Sequence, residues 1–154
     1  MKRMLLLSLA VAVVAMGPMR YAAAHCEVPC GIYTDQLRFE QMLEDTKTID
    51  EAIAQIRELS AKMESGSDAQ SVNQVARWVA TKESHATNTQ HIIAQYFMTQ
   101  RIKADAEGYV KKLTAAHAVM VAAMKCKQNA DPTTATALKT AILNFYRAYE
   151  GKEP

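Results

Sequence analysis

A histidine, two cysteines and a tyrosine stand within nine residues, His25-Cys26-Glu27-Val28-Pro29-Cys30-Gly31-Ile32-Tyr33. Their spacing suits a metal ion if the mature chain begins at His25. The α-amine of His25 and the backbone nitrogen of Cys26 then close a five-membered chelate ring, and the Cys26 nitrogen and thiolate close a second. Cys30, four positions on, can return a fourth ligand if the chain turns back at Val28-Pro29, where proline favours a turn and makes a cis bond possible. Fused five-membered rings with a deprotonated amide favour a planar set of nitrogen and sulfur. Such a set suits Ni(II) or Cu(II) rather than tetrahedral zinc, and the His25 imidazole can cap the plane from one side. The bland alternative for Cys26 and Cys30 is a disulfide in an exported protein.

The residues ahead of His25 predict the required cut. Lys2 and Arg3 form a basic start, residues 4–16 are an apolar stretch, and Ala22-Ala23-Ala24 suits signal peptidase. Thirteen residues are too few to span the ~30 Å hydrocarbon layer comfortably as a helix, and Gly17-Pro18 breaks the run. Residues 1–24 therefore read as a cleaved secretory signal peptide, and the product as exported, either periplasmic or secreted. Arg20 fits this pattern poorly.

The remaining 130 residues, 25–154, are enough for one domain with a real core. Lys2, Arg3 and Arg20 leave with the leader, so 15 basic residues face 16 acidic ones and the net charge is near −1. With no Lys/Arg run, nothing supports binding to nucleic acid, or to a membrane after processing.

Apolar periodicity predicts an all-α chain of four amphipathic helices over residues 35–150. The first runs from Asp35 to about Glu64 with Ile49, Ile53, Ile56 and Met63 on one face, and a break at residues 46–50 is possible. Ser65-Gly66-Ser67-Asp68 stops it and caps the next, which runs from about Ala69 to Ile102 with Val72, Val75, Val79, Ala86, Ile93 and Phe97 as its stripe and is long enough to bend. Val110, Leu113, His117, Met120 and Met124 mark a third, from about Asp105 to Lys127. Asp131 caps a fourth with Pro132 in its first turn, carrying Leu138, Ile142, Phe145 and Tyr149. Short connections make the arrangement an antiparallel up-down four-helix bundle behind an N-terminal metal-binding hook, residues 25–33.

The nonapeptide resembles the hook of nickel superoxide dismutase, whose motif is His-Cys-x-x-Pro-Cys-Gly-x-Tyr. His25, Cys26, Pro29, Cys30, Gly31 and Tyr33 match it. The similarity continues in Arg77-Trp78, Lys82-Glu83-Ser84-His85 and Tyr96-Phe97-Met98-Thr99-Gln100-Arg101-Ile102-Lys103. The resemblance implies disproportionation of superoxide to dioxygen and hydrogen peroxide, with one nickel ion per subunit alternating between Ni(II) and Ni(III). It implies ligation by His25 through amine and imidazole, Cys26 through backbone nitrogen and thiolate, and Cys30 through its thiolate. Tyr33 would guard the open axial face. Aligning Arg38-Phe39-Glu40 with the family's Arg-x-Glu, across a one-residue deletion after Tyr33, makes Glu40 the carboxylate behind the His25 imidazole. His85 then stands where some members have the arginine that pairs with it. Glu27 and Val28 replace an aspartate and a leucine. The family's assembly implies a homohexamer.

Other residues read more plainly. Cys126 is an odd thiol near a helix end, and His117, within an apolar stripe, reads as a core histidine. His85 and His91, six apart, are not an i,i+4 pair. Four of the nine methionines belong to the leader, which argues for signal and core rather than copper handling. Tyr96, Phe97 and Trp78 read as packing. Neither the paired Glu-x-x-His of a di-iron bundle nor the Cys-x-x-Cys-His of a c-type haem occurs. The competing function is an exported, non-catalytic nickel- or copper-binding bundle that uses the same hook.

Overall fold

The computed structural model describes residues 34–153; residues 1–33, with the expected signal peptide and hook, and Pro154 lie outside the described residues. Four helical rods follow one another, with no strand among the described residues: α1 (Asp35–Met63), α2 (Ala69–His91) continued by a π-helical segment (Ile92–Arg101), α3 (Tyr109–Gln128) and α4 (Pro132–Glu150). Each packs on its neighbours in the cyclic order α1, α2, α3, α4, the four-helix bundle that the periodicity predicts.

Local chemistry sets the ends. Thr34 Oγ1 accepts from Leu37 N at 3.3 Å, Asp68 Oδ1 from Ser71 N at 2.9 Å and Asp131 Oδ1 from Thr133 N at 2.9 Å, each supplying a partner for an otherwise unmatched first-turn donor. Gly151 closes α4 at φ 72°, a left-handed cap that glycine adopts without a Cβ clash. The threonines of α1 do not break it: Thr46 and Thr48 turn their hydroxyls back on Met42 O and Glu44 O, at 2.8 and 3.2 Å, bonds that leave the helix continuous.

The core is centred on Phe39, Phe97 and Phe145, with ring centroids 4.8 to 5.3 Å apart. Tyr96, Tyr146 and Tyr149 pack around them, and Met42, Ile49, Ile53, Ile93, Leu138 and Ile142 extend the core along the bundle.

Two expected stripes are corrected. Val72 and Val79 are exposed; the first half of α2 buries nothing fully, and its buried residues are Lys82, Ala86 and Thr89. In α3 the inward face is Ala116, Val119, Ala122, Ala123 and Cys126, while Val110, Met124 and His117 are exposed. His117 is thus no core histidine. The buried face of α3 is mostly alanine, so a face chosen by side-chain hydrophobicity is rotated from the one that packs.

Cys126 is a fully buried free thiol, and burial pushes its acidity down by raising its pKa. The ammonium of Lys82, also buried, donates to Cys126 O and Lys127 O at 2.5 and 2.6 Å. It thereby satisfies the last carbonyls of α3.

Candidate metal centre

The hook residues His25, Cys26, Cys30 and Tyr33 lie outside the described residues, which begin with Thr34. Thr34, immediately after Tyr33, caps α1. The next residue, Asp35, joins three elements. Its carboxylate accepts from Tyr96 Oη at 2.6 Å and from Tyr149 Oη at 2.7 Å, and Arg101 Nε lies 3.1 Å away as an ion pair. Arg101 Nη2 donates in turn to Tyr96 Oη at 2.8 Å.

The π-helical segment makes this clasp possible. Thr99 Oγ1 bonds Ala94 O, Gln100 Nε2 bonds Gln95 O and Ile102 N bonds Phe97 O, all five residues apart. In an α-helix residues five apart point about 140° from one another, whereas the wider i→i+5 turn brings them onto one side. Tyr96 and Arg101 meet for that reason. Burial and the neighbouring Asp35 carboxylate push both phenols above their ordinary pKa, Tyr149 far above it, so both remain donors at neutral pH. The hydrogen bond to Tyr96 leads the effects that raise Arg101, which stays a fixed cation.

A second polar site lies further along α1. His85 Nδ1 is 2.7 Å from Asp45 Oδ1, and Asp45 Oδ2 accepts from Asn88 Nδ2 at 2.7 Å and Thr89 Oγ1 at 3.4 Å. Beside this group is a cleft of ≈ 420 Å³ lined by Gln41, Glu44, Asp45, Thr48, Ser84, His85 and Asn88. Glu40 is exposed, one turn before Glu44 on the same helix, and accepts from Gln36 Nε2 at 3.1 Å. The pair that sequence alignment suggests, Glu40 with His85, is thus accompanied by a carboxylate that it misses. The ring of His85 meets Asp45, and the carboxylate of Glu40 meets Gln36.

The described residues contain no group of three or more histidine, cysteine or carboxylate side chains that could hold a metal ion. No helix among them is long and apolar enough to cross a membrane. The model of the family described as nickel-containing superoxide dismutase matches residues 20–153, a span that includes the whole hook sequence.

The chain belongs to that family. It is a superoxide dismutase, an oxidoreductase whose substrate is superoxide and whose metal is nickel. No curated protein and no solved structure matches it. The donors within the matched span fit the metal chemically: two thiols and a histidine, a sulfur and nitrogen set of the kind Ni(II) takes.

The residues that sequence reasoning missed are Asp35, Asp45, Asn88, Arg101 and Tyr149. Asp35 carries a faint sequence signal, an acid in the first turn of a helix, but that explains it as a dipole partner and not as a clasp. Tyr96, which the sequence marks as packing, both packs on Phe97 and holds Asp35.

Proposed function

We propose that the dismutase centre of this chain is the hook, matured by signal peptidase cleavage after Ala24 in the course of export to the periplasm or the medium. His25 would hold nickel through its α-amine and imidazole, Cys26 through its backbone nitrogen and thiolate, and Cys30 through its thiolate. The carrying observation is that the family match spans residues 25–33 with every fixed position of the hook motif present. Nickel bound there would supply the one-electron Ni(II)/Ni(III) couple that oxidises one superoxide to dioxygen and reduces the next to hydrogen peroxide.

The chain's own residues do the rest. The anionic sulfurs of Cys26 and Cys30 make the donor set electron-rich enough to favour the higher oxidation state. A free amine at His25 is needed because the amide present in the precursor is a poor donor. Tyr33, two residues before Asp35 in the sequence, would order water and the incoming anion at the entrance. Glu40 would orient the His25 ring, with His85 behind it.

A nine-residue segment at a chain end has little core of its own, and termini are mobile unless docked. Docking against neighbouring subunits would fix Tyr33 and shield the thiolates from peroxide, which favours the homohexamer. Nickel content, superoxide consumption and N-terminal sequence of the purified enzyme test the reading together. Expected are one nickel per subunit, His25 as first residue, a sedimenting mass six times that of the monomer, and loss of metal and activity in Cys26→Ser and Cys30→Ser. An active enzyme with another first residue, or full activity in Cys30→Ser, would sink it.

A further inference from the structure

The first two helices run past the turn that joins α3 to α4. Lys82 of α2 bonds the last carbonyls of α3, and Ala135 and Thr136, at the start of α4, line a groove with Thr46, Lys47 and Asp50 of α1. The end of α1, the turn after it and the start of α2 therefore form a two-helix arm, and none of its residues 57–81 is buried. Its outer face is apolar. Ala69, Val72, Ala76, Val79 and Ala80 follow the helical i, i+3, i+4 spacing and are all exposed, Val72 by 50% and Val79 by 39%. A surface helix ordinarily turns polar residues outward, so such a face marks a contact.

The matured hook does not reach it. His25 stands ten residues before Asp35, about 35 Å at full stretch, and α1 rises that far only by about Glu58, where the arm begins. Charge points to the occupant. The tip carries the acids Glu64 and Asp68, with Lys62 already paired to Glu58 at 2.6 Å. The root gathers Arg57, Arg77, Lys125 and Lys127 against Glu83 and Asp131. Two copies of the arm laid antiparallel set each acidic tip against the other's basic root, whereas an anionic membrane or a nucleic acid would be repelled by the tip. The apolar face is also its own complement about Ala76, because Val72 and Val79 lie one turn to either side of it. Its extent suits a stable contact, which uses about 20–30 residues a side.

We propose that residues 57–81 pair antiparallel with the same arm of a second copy, around a two-fold axis near Ala76 that brings Val72 of each copy to Val79 of the other. The contact deepens the assembly proposed above without involving the hook: in a six-subunit particle it would join two trimers.

The test is sedimentation of mature, nickel-loaded protein with Val72→Lys and Val79→Glu made in separate chains. Both sites are on the surface, so helicity should be unchanged. Each variant alone places a charge at both ends of one apolar contact, and should weaken that association about 100-fold and halve the mass of the particle. Mixing the two should restore the wild-type mass, since the ammonium of one chain then meets the carboxylate of the other. A monomeric wild type, a wild-type mass in either variant alone, or a mixture that stays at half mass would overturn the proposal. Nickel and activity retained in Cys26→Ser would instead count against the hook, and would leave these masses as they are.

Discussion

Asp35 and Asp45 lie ten residues apart on α1, and each collects three partners, yet they do different work. Asp35 is bonded by phenols from two elements and paired with a guanidinium, and 28% of its side chain remains exposed. It ties the start of α1 to the π-helical segment and to the end of α4. Asp45 is far more deeply buried and reaches only α2, through an imidazole, an amide and a hydroxyl. A half-exposed carboxylate facing a permanent cation and two locked phenols is a structural fastener. A buried one whose imidazole and amide partners border a cleft joins only α1 and α2.

Removal of each carboxylate should separate these roles. Asp35→Ala leaves two partly buried phenols and a guanidinium without their common acceptor, and should lower the unfolding free energy in urea by about 3 kcal/mol. Asp45→Ala should cost about 1 kcal/mol, since His85 and Asn88 border the cleft and can turn to water. Equal losses in the two urea titrations would break the distinction.

Tyr149→Phe sharpens the Asp35 side. At neutral pH it should cost about 1 kcal/mol, the worth of one hydrogen bond. The folded state holds the Tyr149 proton more tightly than the unfolded chain does, so the associated stability is present below a phenol's ordinary pKa of about 10 and drains as pH rises above it. Wild-type urea midpoints should therefore fall between pH 8 and pH 11 by more than those of Tyr149→Phe. Parallel falls would mean that another group carries the alkaline loss.

Cys126→Ser, outside both regions, sets the lower end. Activity should be unchanged and stability altered by no more than about 1 kcal/mol, because the site is small and already lies beside the Thr134 hydroxyl that interacts with the thiol. In the native protein this thiol should react slowly with a thiol reagent, being buried and held protonated. Rapid labelling under native conditions would contradict its burial.

The hook motif and the caps of three helices can be read in the sequence because their chemistry is local. His25 and Cys26 are adjacent, Cys30 is four positions on, and the caps Thr34, Asp68 and Asp131 each bond a nitrogen two or three residues on. Four helices and three of the four Asp131-helix core positions follow from spacing for the same reason. The inward face of α3 was misread because periodicity weighs hydrophobicity, while the bundle selects for side chains small enough to let backbones approach, so Ala116 and Ala123 outrank Val110 and Met124.

The sequence by itself determined the all-helical class and most of the rod ends, since these depend on residues within a few positions of one another, although α3 begins at Tyr109 rather than at about Asp105. Tertiary structure alone decided the partners of the two carboxylates: His85 stands 40 residues from Asp45, and Tyr149 stands 114 from Asp35. It also decided the change of helical register that sets Arg101 beside Tyr96. No local preference records such meetings, because a carboxylate accepts from any donor that packing brings within 3 Å, and only the closed bundle brings these.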